Sequence, residues 1–149
     1  MHGLDKLTAC HSCDWAIEMH AVVNGLLVVL GWNGTSEMKQ PQDAWIVLAF
    51  DRPTSYAVAD YSRLWQHSSG ERDTPVLTVN DHATGTTHIL DLTLNLESYP
   101  DGWISCRVEA QCDAIDIICR ELPTVTFRDS EPDVLKWWSQ GHAFDQRNA

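Results

Sequence analysis

From Leu7 to Val23 the odd positions carry Leu, Ala, His, Cys, Trp, Ile, Met, Ala and Val, while the even ones are mostly polar. A period of two predicts a strand with one buried face. Asn24-Gly25 follows, the strongest two-residue hairpin signal, because both central residues must take positive φ. Leu26 to Trp32 supplies the returning strand, and Asn33-Gly34 a further turn. Polar residues and Pro41 then mark a loop, and the apolar run Ala44 to Phe50 predicts a strand covered on both faces.

Beyond Arg52-Pro53 the period changes. Tyr56, Val58, Tyr61, Leu64 and Trp65 fall near helical spacing, which predicts a short central helix over Ser55 to Gln66. Pro75 to Asn80 predicts a short strand. His88 to Leu96 and Ile104 to Cys112 both alternate, and Tyr99-Pro100-Asp101-Gly102 lies between them with turn residues in place. An antiparallel hairpin of these two segments is expected. Ile115 to Val125 fits either one more strand interrupted at Pro123 or a helical turn followed by an edge strand. Ser130, Pro132 and Asp133 punctuate a helix start, Val134, Leu135 and Trp138 give it an apolar stripe, and Gly141 stops it.

These elements predict one α+β domain over residues 1–149, mainly β. It has six to eight antiparallel strands in a bent sheet, sandwich or open barrel, with a short central helix and a C-terminal helix. The 149 residues, 44% of them hydrophobic, suffice for a core. No run approaches the roughly eighteen apolar residues of a membrane helix. The start Met-His-Gly-Leu-Asp-Lys has no secretory pattern, and five cysteines are an odd count for a disulfide framework. Both point to the cytoplasm.

Charge narrows the function. Asp and Glu number 21 against 10 Lys and Arg, for a formal net charge of −11. Phosphate contacts need clustered bases, so neither direct nucleic-acid binding nor attachment to an anionic membrane is expected. The acids are spread along the whole chain, so the folded surface carries the field.

Several residue groups invite chemistry, and each has a plainer explanation. Cys10-His11-Ser12-Cys13, with His2 and His20 near, suggests zinc. A structural site takes about four ligands, usually from two close pairs, and a second pair is missing. In the predicted strand, moreover, Cys10 and Cys13 point to opposite faces. Cys13 with His11 or His20 is a weak thiolate pair. His67-Ser68-Ser69 and His82-Ala83-Thr84 carry only a short His-x-Ser/Thr pattern. Asp113 with Asp116, and Glu131 with Asp133, match no calcium loop, and the second pair suits a helix start. No metal, cofactor or catalytic constellation is expected.

Seven tryptophans are many for this length: Trp15, Trp32, Trp45, Trp65, Trp103, Trp137 and Trp138. Trp137 and Trp138 lie about 100° apart on a helix, so one is expected at the surface, where tryptophan anchors partners. The expectation is a non-enzymatic acidic inhibitor or immunity-type protein that binds a basic, nucleic-acid-handling protein. It would use Trp137 or Trp138 ringed by Asp129, Glu131 and Asp133. The alternatives are a β-rich domain holding a small apolar ligand, and a hydrolase using His11, His82 or His88 with Asp partners.

Overall fold

A computed structural model describes residues 2–22, 24–34, 40–52, 54–60, 75–81 and 99–135. Among these residues, helix α1 (His2–Thr8) and a 3-10 turn (Ser12–Asp14) precede eight strands: β1 (Trp15–Val22), β2 (Gly25–Trp32), β3 (Trp45–Asp51), β4 (Thr54–Asp60), β5 (Leu77–Asp81), β6 (Ile104–Glu109), β7 (Asp113–Cys119) and β8 (Thr124–Arg128). They form two antiparallel four-stranded sheets, ordered β1-β2-β3-β8 and β4-β7-β6-β5. The chain changes sheet between β3 and β4 and returns between β7 and β8. Val28, Leu30, Ile46 and Leu48 of the first sheet share one buried cluster with Cys106, Val108, Ile115 and Ile117 of the second. The sheets therefore face each other across a common apolar layer, and α1 packs against an edge strand of each, β8 and β5.

The β1-β2 hairpin forms as expected, with Val22 opposite Leu26 and Asn24 at φ 51°. Gly25 has φ 131°, and a Cβ there would stand 1.9 Å from the Phe50 carbonyl oxygen, so only glycine fits.

The predicted strand from Leu7 is corrected. Residues before Trp15 fold as α1 and the 3-10 turn, because Leu4 and Leu7, three apart, pack one helical face on the shared core. Within β1 the phase also changes. The register slips between Ile17 and Met19, leaving Glu18 as an extra residue, and a bulge of this kind re-aims the side chains beyond it. Trp15 and Ile17 face the shared core, whereas Met19 and Ala21 face the other side of the sheet.

That other side is covered by the chain's own C-terminal segment. Residues 133–135 form a helical turn, Leu135 N–H donates to the Pro132 carbonyl (3.0 Å), and Val134 and Leu135 pack with Met19, Val29, Trp45 and Val47. The expected C-terminal helix is seen in this first turn; the rest of it, including Trp138, lies outside the described residues.

Three further expectations change. Ser55 to Asp60 belong to β4, not to a central helix, because Tyr56 and Val58 sit opposite Ile117 and Ile115. Tyr61, Leu64 and Trp65, which gave the helical spacing, lie outside the described residues. So does His88 to Leu96. The hairpin partner expected for Ile104 to Cys112 is replaced, since β6 has β5 on one edge and β7 on the other. Ile115 to Val125 resolves into parts of two strands, β7 and β8, in different sheets.

Candidate functional site

An open cleft of about 330 Å³ lies where α1, the 3-10 turn, the end of β2, the loop before β3 and β8 meet. Its aromatic wall comes from Trp15, Trp32 and Phe127. Trp15 and Trp32 are paired across the β1-β2 ladder, and their rings meet edge to face at 5.5 Å and 86°. That is a favourable arrangement of ring quadrupoles. Trp15 is buried and Trp32 half-buried, so one braces the other. Gly34 passes so close to the Trp32 ring that a Cβ there would stand 2.3 Å from it.

The polar side is built from Lys6, Cys10, His11, Asp14 and Asp43. Lys6 Nζ bonds Asp43 Oδ2 at 3.1 Å and stands 4.5 Å from the centre of the Phe127 ring. The cleft thus joins an aromatic ring and a carboxylate around one ammonium, the two groups that attract cations. Asp14, only 2% exposed, lines the same space.

A rigid support stands behind Asp14. Asn33 N–H donates to the Asp14 carbonyl (2.8 Å) and Asp14 N–H to the His11 carbonyl (3.1 Å). Gln111, in the β6-β7 turn, ties this corner to the second sheet. Its backbone N–H donates to the Trp15 carbonyl (3.0 Å), and its side-chain amide donates to the carbonyls of Cys13 (2.7 Å) and Asn33. The Asn33 amide returns a bond to Gln111 Oε1 at 2.8 Å.

The strand geometry that separated Cys10 from Cys13 is absent, since both precede β1. Even so, among the described residues no three His, Cys, Asp or Glu side chains are grouped to hold a metal. Burial pushes the Cys10 thiol above its ordinary value, Lys6 pulls it back in part, and Asp14 adds to the rise. A raised thiol pKa is the wrong direction for a nucleophile. Cys106 and Cys119 lie buried side by side on β6 and β7, where their mutual hydrogen bond holds Cys106 up and Cys119 down. They are core thiols.

Of the residues expected to bind a partner, Asp129 and Asp133 are exposed and Glu131 is half-buried, just beyond β8. Phe127 of the cleft precedes Asp129 by two residues. Trp137 and Trp138 lie outside the described residues, as do His67, His82 and His88. Asp116 is fully buried against Arg107 (2.9 and 3.2 Å), so it is a structural anion and not half of an acid/base pair with Asp113. The chemistry-bearing residues that the sequence pattern missed are Lys6, Asp14, Asp43 and Phe127. They come from separate segments, and no spacing rule links them.

No helix among the described residues is long and apolar enough to cross a membrane. No protein-family model matches this chain, and neither a curated protein nor a solved structure matches it.

Proposed function

We propose that the chain is a non-enzymatic acidic protein that binds and inhibits a basic protein partner in the cytoplasm. The observation that carries this reading is the open cleft, where aromatic rings and two carboxylates stand together on a chain of net charge −11. Acids dispersed over a fold steer a basic partner from a distance and raise its association rate. Asp129, Glu131 and Asp133 extend the acidic surface along the chain from Phe127. Trp137 or Trp138 is the proposed anchor beyond them.

The test is affinity capture from the native host, followed by stopped-flow association with the captured protein. Asn or Gln at positions 129, 131 and 133 is expected to lower the on-rate and flatten its salt dependence. An on-rate indifferent to salt, or an acidic partner, would refute the proposal.

The volume of the cleft favours a second reading, a small apolar ligand. About 330 Å³ falls at the lower end of the roughly 300–1,000 Å³ typical of ligand sites. Native mass spectrometry of protein purified from the host distinguishes the two, since a retained small molecule supports only the second.

A further inference from the structure

We propose that the cleft is a receptor for an arginine side chain presented by the basic partner, and that Lys6 is a built-in placeholder which the arginine displaces. This rests on the reading of the protein as a binder of a basic partner, and it names the site and the group recognised.

Lys6 shows what the cleft accepts. Its ammonium touches Asp43 at 3.1 Å and lies over Phe127 at 4.5 Å, while its side chain remains largely exposed. A cation so placed gains from the ring and from the carboxylate, yet it is held by neither burial nor a second anion, so exchanging it costs little.

The carboxylates favour entry of another cation. Displacing Lys6 releases the Asp43 carboxylate to the incoming cation, and Asp14 lines the same space. Guanidinium suits the site better than a second ammonium. It is planar, stacks on aromatic rings, engages a carboxylate through two parallel donors and loses hydration more readily. The half-buried Trp32 adds an indole to the lining that also holds Phe127. The Trp15-Trp32 contact and the Gln111-Asn33 amide pair brace this corner of the cleft.

Titration of the full chain with N-acetylarginine amide, followed through indole N–H resonances, tests the proposal. The Trp32 signal is identified by its loss in Trp32→Phe. The arginine amide is expected to shift that signal, and the neutral isostere N-acetylcitrulline amide to bind about tenfold more weakly. Lys6→Met should tighten arginine binding several-fold by removing the competitor, and Asp43→Asn should weaken it. Circular dichroism checks that both variants remain folded.

Equal binding of arginine and citrulline amides would overturn the proposal, as would weaker arginine binding by Lys6→Met. A Trp32 shift produced by cyclohexanol but not by the arginine amide would also overturn it and assign the cleft to an apolar ligand. Capture separates this failure from that of the functional reading. A basic partner with a silent arginine titration sinks the arginine site alone. An acidic partner with a responsive cleft sinks the functional reading alone.

Discussion

Two ion pairs built from the same chemistry do opposite things in this molecule. Arg107 and Asp116 face each other across β6 and β7, with side-chain exposures of 17% and 0%. Both carboxylate oxygens are engaged. Lys6 and Asp43 join α1 to the loop before β3, with exposures of 56% and 35% and one contact. In the first pair, solvent cannot reach Asp116 to replace a lost partner, so the pair is a structural commitment. In the second, water competes at every moment, so the contact is exchangeable. The comparison teaches that the same ion-pair chemistry is a fixed part of the fold when buried and an exchangeable contact when exposed.

The largest expected effect comes from breaking the buried pair. Arg107→Ala leaves the Asp116 carboxylate buried without its guanidinium and is expected to destabilise the fold by about 3–5 kcal/mol in urea unfolding. Asp116→Ala should cost less, because Arg107 retains a path to solvent. Equal losses in the two variants would contradict this asymmetry.

A middle effect is expected at the support of the cleft. Gln111→Ala removes amide bonds to Cys13, Asn33 and the Asn33 side chain. Stranding those partners should cost about 1–3 kcal/mol. The Trp32 indole resonance should move with it, whereas Arg107→Ala should leave that resonance in place.

The smallest effect belongs to the exposed pair. Lys6→Met should change stability by no more than about 0.5 kcal/mol, and high salt should erase even that difference. The Arg107 deficit should persist in the same salt. A stability loss at Lys6 comparable to that at Arg107 would mean that Lys6 closes the cleft structurally and is no placeholder.

The first hairpin was legible because its information is local. Asn24-Gly25 and the alternation on either side suffice to pair β1 with β2. The β5 and β6 segments were legible as strands from equally local patterns, whereas β7, buried along nearly its whole length, left strand and helical turn open. The bulge at Glu18 was not, since an alternating run reads the same whether or not its phase shifts at the paired strand. His88 to Leu96 misled for a related reason: alternation and an intervening turn say that a segment suits a sheet, but not which edge it meets. At the candidate site, Cys10, His11, Trp15 and Trp32 drew notice by residue type. Lys6, Asp14, Asp43 and Phe127 did not, for each is ordinary in its own segment.

What the sequence by itself determined is the material: a mainly β chain, its turn positions, its strongly acidic surface and its apolar strand faces. These come from φ preferences, side-chain periodicity and charge, all of which act over a few residues. Only the tertiary structure decided that α1 and the 3-10 turn replace the start of a strand, that β6 lies between β5 and β7, and that residues 133–135 cover the far side of the first sheet. It alone brought Lys6, Asp43 and Phe127 within contact. Those outcomes depend on which apolar surfaces meet to exclude water, a competition among the whole set of segments that no single one of them encodes.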